Sequence, residues 1–411
     1  MLKNYFKIAL KVLSRNKFFT FVSLFGISIT LMILIVLSSL YDSSFGAYGP
    51  EKKLNRMLFI NQVKFSDAKG NRMMFGSSSN YFLNKTVKNL KTPETVSITT
   101  DFISADCYVG ERKITLIKRY TDVAYWNILE FDFLQGRPIS NLDIENANKV
   151  AVISRKAGLE YFGNLNCIGQ KINIQNEFFT VIGVVEDVTI SKFYSFSHIY
   201  LPYTTSGIDY SNPALGGNCL ALILANSRKD FDAIQTEYQK SIDNFQFYDP
   251  ESFNHVNARA LTYYDSIFQN PNDESTLIYE KVLYIVLLLL FMAFPAINLI
   301  NMNVTRIIER SSEIGIRKSF GASIRTLMWQ FIVENVIITL LGGILGFIMA
   351  VIVIKTINSS GVIPNLILSI NFMLFFYALG ITIFFGLFSG IYPAWKMSKL
   401  QIMYVLKIDK Q

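Results

Sequence analysis

FFTFVSLFGISITLMILIVLSSLY, residues 18–41, carries no charged side chain over 24 positions and decides the fold class. A bilayer core needs about 20 apolar residues in a helix, so this run can cross a membrane. A signal peptide is the alternative reading, because basic residues precede the run, but its apolar core would be only about 7–15 residues long. We therefore predict an uncleaved transmembrane helix at residues 18–41, preceded by a cytoplasmic amphipathic helix at residues 1–17.

Further charge-free runs lie near the end of the chain. We predict the second transmembrane helix at residues 282–305, the third at 326–355 and the fourth at 370–392. Turn-forming residues cluster between the last two helices and predict a short external loop at residues 356–369. Pro295 is expected to kink the second helix, because a proline removes a backbone hydrogen bond. The fold class is thus an α-helical membrane protein with four transmembrane helices.

The charge distribution sets the orientation of these helices. Of 411 residues only 17% are charged, whereas a soluble globular protein has about 25%. The segments 1–17, 306–325 and 393–411 together hold 14 basic and 3 acidic residues. Basic residues stay on the cytoplasmic side, so both termini and the 306–325 connection are predicted to be cytoplasmic. The net charge of +8 therefore reflects membrane orientation and is not a nucleic-acid patch.

Residues 42–280 lie between the first two helices and are predicted to form a large external α+β domain. Residues 228–245 place apolar side chains at helical spacing, which predicts a helix packed on a sheet. Residues 171–187 alternate around a polar break and predict a β-hairpin. Residues 149–163 predict a strand that leads into a short helix. Three further strands are expected at residues 57–65, 198–203 and 219–225.

This external domain contains no recognisable catalytic motif. Its two histidines, His198 and His255, have no companion ligands at metal-site spacing. The chain contains no phosphate-binding loop, so any ATP hydrolysis would have to occur in a partner protein. The three cysteines leave two states open: one disulfide with one free thiol, or three buried thiols.

The connection VTRIIERSSEIGIRKSFGASIR, residues 304–325, is the most distinctive cytoplasmic segment. Glu313 and Arg317 are spaced i,i+4 in the order that favours a helix. Gly321 can end that helix in a left-handed conformation. Two interpretations fit: a basic loop held at the lipid surface, or a helix that docks into a soluble partner.

The chain resembles the FtsX-like/MacB-type permeases of ABC transporters, also called type VII. The cytoplasmic residues that carry the resemblance are Glu309, Arg310, Glu313, Ile314, Gly315, Ile316, Arg317, Lys318, Gly321, Ala322 and Ser323. In the external domain they are Gly136, Arg137, Asp143, Gly163, Gly169 and Val181–Val184. At the C-terminus Gly390, Pro393 and Ala394 match, whereas Met397 and Gln401–Ile402 depart from the family pattern.

The resemblance implies a machine in which this chain has no catalytic role. Family members pair with a second permease, as a homo- or heterodimer, and with cytoplasmic ATPase subunits that bind ATP and Mg²⁺. The cytoplasmic residues Glu309–Gly321 would form the coupling helix. The external domain would have two lobes, with an inserted lobe at about residues 121–215. The location implied is the bacterial inner membrane, with the external domain in the periplasm and an additional periplasmic or outer-membrane partner.

The expected work is efflux of a drug or peptide, or lipoprotein export, driven by movements of the external domain. An FtsX-like regulator of cell-wall hydrolases is one alternative, although such members have smaller external domains. A membrane-anchored sensor or receptor without energy input is the other alternative. A membrane enzyme is the weakest interpretation, because the sequence offers no reactive constellation.

Small and polar residues inside the predicted helices suggest where they pack. The pairs Gly342/Gly346 and Gly386/Gly390 have GxxxG spacing, which permits close helix approach in lipid. Glu334 lies near the cytoplasmic boundary of the third helix, so an interfacial or interhelical polar role is expected.

Overall fold

A computed structural model describes residues 17–268 and 324–370, together with short pieces of two further helical segments. Those pieces are residues 279, 282–283, 286–287, 372–373, 375–377, 379–380 and 383–384. The chain divides into two compact units. The membrane unit comprises Met1–Ser43, Lys281–Ile363 and Leu368–Gln411. The external unit comprises Ser44–Glu280 and Pro364–Ile367.

The described elements alternate between helices and strands only in the external unit. The helices are α1 (Lys17–Phe45), α2 (Asn80–Thr86), α3 (Val123–Ile128), α4 (Asn141–Glu145), α5 (Arg155–Phe162), α6 (Phe231–Asp243), α7 (Tyr263–Ile267) and α8 (Ile324–Ser360). The strands are β1 (Met57–Ile60), β2 (Val63–Ser66), β3 (Met73–Gly76), β4 (Thr95–Thr100), β5 (Ile103–Val109), β6 (Arg112–Thr121), β7 (Phe133–Gly136), β8 (Val150–Ser154), β9 (Lys171–Ile174), β10 (Glu177–Val185), β11 (Ile199–Pro202), β12 (Cys219–Leu224) and β13 (His255–Ala258). Short 3₁₀ turns occupy Gly49–Glu51, Leu54–Arg56, Tyr203–Thr205 and Arg228–Asp230.

The strands form three sheets in the external unit. A seven-stranded sheet has the order β7-β10-β8-β11-β6-β5-β9 and forms the inserted lobe. Two three-stranded sheets, β1-β12-β4 and β13-β2-β3, form the parent lobe. Helix α6 buries Ile234, Tyr238 and Ile242 against the parent-lobe core, as its apolar spacing predicts.

The predicted hairpin at residues 171–187 is confirmed. Strands β9 and β10 pair antiparallel, with Ile174 opposite Glu177. Gln175 and Asn176 between them have φ angles of 50° and 68°. Two consecutive residues with positive φ are typical of the two-residue turns that match the twist of a hairpin.

Two boundary predictions in the external domain are wrong. The predicted single strand 57–65 is two strands in different sheets, because the chain breaks at Asn61, whose amide donates to the Ser266 carbonyl at 2.8 Å. The sheet of the inserted lobe, predicted at about residues 121–215, begins at Ile103 with β5 and β6 instead of near residue 121. Strands β5 and β6 form an antiparallel hairpin around a charged turn, and β6 pairs in parallel with β11.

Several residues that carry the family resemblance lie at the edge of the inserted lobe, in or just after β7. Gly136 has a φ of 75°, and a Cβ there would lie 2.1 Å from the Ile182 carbonyl, so only glycine fits. Arg137 donates two hydrogen bonds to Asp143, at 2.6 and 3.2 Å. These bonds, with those from Ser140, hold the pKa of the Asp143 carboxyl well below its usual range.

One hydrophobic cluster lies across the boundary between the two lobes. A buried cluster combines parent-lobe residues such as Met57 and Phe59 with inserted-lobe residues such as Tyr125 and Tyr200. Across the same boundary the Arg119 guanidinium donates to the Thr100 carbonyl at 2.7 Å. Because the lobes bury a common core, we expect them to move as one body.

In the membrane unit, the described residues include two helices long and apolar enough to cross a membrane, at Thr20–Phe45 and Ile332–Ser360. The predicted helices at 282–305 and 370–392 lie largely outside the described residues. Helix α8 runs past the predicted end at residue 355, and the hydroxyls of Thr356, Ser359 and Ser360 donate to carbonyls in its last turns. Helix α1 likewise runs past residue 41, where Ser43 donates to the Leu40 carbonyl.

Helices α1 and α8 approach each other closely at two glycines. A Cβ on Gly342 would lie 2.6 Å from Cγ2 of Ile27, and one on Gly346 would lie 2.7 Å from the Ser28 carbonyl. The Ser28 hydroxyl also donates to the Gly342 carbonyl across the interface at 3.1 Å. Small residues and interhelical hydrogen bonds are what hold helices together in lipid.

We expect Gly346→Ala to destabilise the membrane unit by about 1–3 kcal/mol, because the added methyl group must push the helices apart. Thermal denaturation of the full chain in detergent measures this loss. Gly380→Ala is the matched control, since a Cβ there meets no atom of the described residues within 4 Å. Equal stability of the two variants would contradict the close packing.

Candidate functional site

The residues predicted to couple the chain to an ATPase all lie outside the described residues. They are Glu309, Arg310, Glu313, Ile314, Gly315, Ile316, Arg317, Lys318 and Gly321. Of the four glycines predicted to pack helices, Gly386 and Gly390 also lie outside, whereas Gly342 and Gly346 face α1. Glu334 is buried in α8, with 1% of its surface exposed.

The external unit contains a buried charge cluster where α1 enters it. Lys192, only 1% exposed, donates from Nζ to the carbonyl oxygen of Gly46, the residue that follows α1. The same ammonium lies 3.4 Å from the Glu51 carboxylate, which is completely buried. Ser195 donates to the other carboxylate oxygen of Glu51 at 2.8 Å.

The electrostatics of this cluster depend on its isolation from water. Burial raises the pKa of Glu51, and the nearby Lys192 opposes that effect. The Lys192 ammonium also lies 4.7 Å from the centre of the Tyr48 ring, which can stabilise a cation through its face. A buried ion pair is stable only while both partners remain in place, because either charge alone would be desolvated without compensation.

Aromatic rings surround Phe45, which directly precedes this charge cluster in the sequence. The ring of Phe45, the last residue of α1, lies 5.4 Å from Tyr264 and 6.0 Å from both Tyr263 and Phe268, between ring centres. Such pairs contribute about 0.5–1.5 kcal/mol each beyond the area they bury. Phe45 is therefore packed within the external unit, and we call Phe45, Gly46, Glu51 and Lys192 together the joint.

A second contact involves the segment that follows α8, residues 361–369, which we call the connector. The Asn365 side-chain oxygen accepts from Lys156 Nζ at 2.6 Å and lies 3.1 Å from His198 Nε2. The backbone of the connector is held as well: the Ile190 amide donates to the Asn365 carbonyl at 3.0 Å. The Ile367 amide donates to the Thr189 hydroxyl at 3.2 Å.

His198 is a neutral donor in this contact. Its Nδ1 accepts from the Ile117 backbone amide at 3.0 Å, so Nδ1 carries no proton and Nε2 donates to Asn365. Burial lowers the pKa of His198, and the adjacent Lys156 lowers it further, whereas the Asn365 acceptor has the opposite effect. His198 thus makes structural hydrogen bonds through both ring nitrogens.

A polar cleft of about 400 Å³ lies between the lobes. Its lining includes Asn80, Asn84, Lys88, Asp122, Asn127, Asn141 and Tyr203. Asp122 is occupied by structural bonds, since it pairs with Lys88 at 2.9 Å and accepts from the hydroxyl of Ser97 at 2.6 Å. The cleft offers hydrogen-bonding groups, but its lining contains no nucleophile paired with a base.

The described residues contain no group of three or more side chains arranged to hold a metal ion. Cys107, Cys167 and Cys219 are three buried free thiols. Burial raises the pKa of Cys107 to about 11 and that of Cys219 to about 12, so both remain protonated and unreactive at neutral pH.

Neither the contact of Lys192 with Gly46 nor the contact of Asn365 with His198 was predicted from the sequence. Lys192 lies in the run TISKFYSFSH, residues 189–198, and the available signal is that it is the one Lys, Arg, Asp or Glu in that run. Asn365 follows Pro364 among turn formers, and asparagine tolerates the left-handed conformation it adopts, with φ 62°. In neither case does the sequence indicate the partner.

Comparison with known proteins gives two consecutive family matches. The MacB-like periplasmic core domain matches residues 20–240, and the FtsX-like permease C-terminal domain matches residues 285–402. Among solved structures, the extracellular domain of YknZ from Gram-positive bacteria is 14% identical, with a TM-score of 0.37, and covers 48% of this chain and 100% of that one. The periplasmic region of MacB from Actinobacillus actinomycetemcomitans is 17% identical, with a TM-score of 0.36, and covers 52% of this chain and 93% of that one.

Curated relatives include ABC transporter permeases from several bacteria. A macrolide export ATP-binding/permease protein MacB from Aggregatibacter actinomycetemcomitans is 25% identical over 72% of this chain and 44% of the relative. An ABC transporter permease, YknZ, from Bacillus subtilis is 26% identical over 54% of this chain and 53% of the relative. The pyoverdine export protein PvdT from Pseudomonas syringae is 28% identical over 68% of this chain and 41% of the relative.

The alignments with MacB and YknZ span about half of the length of these relatives. The two family matches, in contrast, follow one another along most of this chain, and the first alone covers more than half of it. The chain therefore belongs to the FtsX-like family of ABC transporter permeases, in the form that carries a MacB-like periplasmic core domain.

Proposed function

We propose that this chain is the transmembrane subunit of an ABC transporter in which a separate ATPase drives movements of the external domain. The observation that carries the proposal is the joint, in which Lys192 holds the backbone at Gly46, directly after α1, and the Glu51 carboxylate. In this proposal, a displacement of the segment that follows α1 moves the domain. The shared core of the two lobes supports movement of the domain as one body.

In this proposal the energy comes from ATP hydrolysis by a partner protein. The sequence has no phosphate-binding loop, whereas the MacB and PvdT relatives are ATP-binding/permease proteins. ATP and Mg²⁺ would bind in the partner ATPase, docked on residues 306–325. We further propose a second permease subunit, homo- or heteromeric, and a location in the bacterial inner membrane with both termini cytoplasmic and the large domain in the periplasm.

The work done outside is efflux of a drug or peptide, or lipoprotein export. The export proteins among the relatives support this class, and the polar cleft between the lobes leaves room for interaction with a periplasmic or outer-membrane partner. A sensor without energy input makes the opposite prediction, since no ATPase would accompany it.

Purification of the full chain in mild detergent should recover a partner ATPase carrying a phosphate-binding loop. Glu313→Lys and Arg317→Glu should each reduce recovery and ATPase activity, because each places like charges at i,i+4 in the predicted coupling helix. The double exchange Glu313→Lys/Arg317→Glu is the matched control for helix stability, as it restores an opposite-charge pair. Gly315→Pro should uncouple the ATPase while the chain still inserts.

Absence of any ATPase from the purified chain would favour the sensor. Normal coupling in Gly315→Pro would contradict the docking helix.

The ion pair in the joint should also contribute measurably to the stability of the external unit. Lys192→Met should destabilise the external unit by about 3–5 kcal/mol, because it leaves the Glu51 carboxyl buried without its cation. Adding Glu51→Gln should restore more than half of that loss, since neither buried charge then remains. Thermal unfolding of the full chain, followed by tryptophan fluorescence, measures both variants.

An exposed ion pair provides the control for this experiment. Lys149 and Glu177 lie 3.2 Å apart, with 57% and 52% of their side chains exposed, so Lys149→Met should cost at most about 1 kcal/mol. A loss in Lys192→Met no larger than in Lys149→Met would contradict the buried joint.

A further inference from the structure

The connector after α8 crosses from one unit to the other within a few residues. Pro364–Ile367 belong to the external unit, whereas the residues on either side belong to the membrane unit. The base of the connector is closed by Asn358, whose side chain donates to the Leu368 carbonyl and accepts from the Leu368 amide, both at 2.9 Å. The connector is therefore a closed loop whose tip belongs to the external unit.

The tip is held mainly through one residue, Asn365. Its backbone carbonyl and side-chain oxygen together account for three of the four hydrogen bonds between the connector and the external unit described above. The bond from Lys156 is charge-assisted, which makes it stronger than one between neutral groups. His198 is 6% exposed, so the contact is largely shielded from water.

The contacts of the joint after α1 and those of the connector after α8 involve the same short segment, residues 189–198. Thr189, Ile190 and His198 bind the connector. Lys192 and Ser195 bind Gly46 and Glu51 in the joint after α1. Most of this segment is buried, and Phe193 and Tyr194 place their rings in the core between the lobes. A displacement of the segment must therefore displace the core of the domain.

We infer that residues 189–198 receive movement from two membrane helices at once, and that Asn365 is the positioning residue that links the connector after α8 to this segment. The inference rests on the proposed function and extends it. With both contacts in place, α1 and α8 act on the domain together. Without the Asn365 side chain, the bonds from Lys156 and His198 are lost, whereas the backbone bonds of the connector at Ile190 and Thr189 remain.

The contact can be tested directly by zero-length cross-linking of the full chain. In Asn365→Asp a carboxylate replaces the amide whose oxygen lies 2.6 Å from Lys156 Nζ. A water-soluble carbodiimide should then join the two side chains as an amide, detected by mass spectrometry of the linked peptides. Wild type, which has no carboxylate at position 365, and Asn365→Asp/Lys156→Met should give no such product. Absence of the product from Asn365→Asp would overturn the contact.

The transmission role needs a second measurement with the ATPase bound. Hydrogen–deuterium exchange of residues 189–198 should respond to ATP with vanadate in wild type. In Asn365→Gly that response should fall at least about twofold, because the side-chain bonds of Asn365 are lost. Glycine preserves the left-handed backbone at this position, with φ 62°, and removes only the side chain. Val362→Ala, at a connector residue that is 79% exposed, should keep the full response.

These outcomes separate the inference from the proposed function. A full response in Asn365→Gly, with the ATPase bound and the cross-link formed in Asn365→Asp, overturns the role of Asn365 and leaves the proposed function intact. A wild-type chain that recovers no ATPase and shows no response to ATP overturns the proposed function, and the transmission role falls with it. An ATP response that is reduced in Asn365→Gly but not in Val362→Ala supports both.

Discussion

The bond between buried Lys192 and the backbone at Gly46 is the interaction on which the rest of the external unit depends. A cation without water must find acceptors, and here they are the first carbonyl after α1 and the carboxylate of Glu51. Because removing one partner leaves the other charge uncompensated, the joint has no favourable half-formed state. The residues directly after α1 are thereby held in the core of the external unit.

The packing around the joint extends through both lobes of the domain. The lobes share a core, and the Arg119 guanidinium joins them by donating to the Thr100 and Phe193 carbonyls, both at 2.7 Å. Residues 189–198 lie in that core and contact both membrane-flanking segments. In the function that we propose, these external residues transmit movement through the core of the domain.

Local patterns predicted much of this fold, and long-range pairing accounts for what they missed. The hairpin at 171–187 and helix α6 follow from alternation and helical spacing, which are short-range signals. The lobe boundary near Ile103 depends on β6 pairing with β11, about 80 residues away in sequence, which spacing does not reveal. The burial of Lys192 and the contact of Asn365 are likewise tertiary effects, because a lysine or a turn asparagine is usually on the surface.

The most direct test of the central claim is the distance between the external unit and α8 during the ATPase cycle. Fluorophores on Tyr248→Cys and Trp329→Cys are suitable reporters, since the native side chains are 81% and 57% exposed and the three native thiols are buried. Energy transfer should change when ATP and vanadate are added to the chain with its partner ATPase, and return when nucleotide is removed. The same energy transfer with and without nucleotide, in a complex that hydrolyses ATP, would contradict the account.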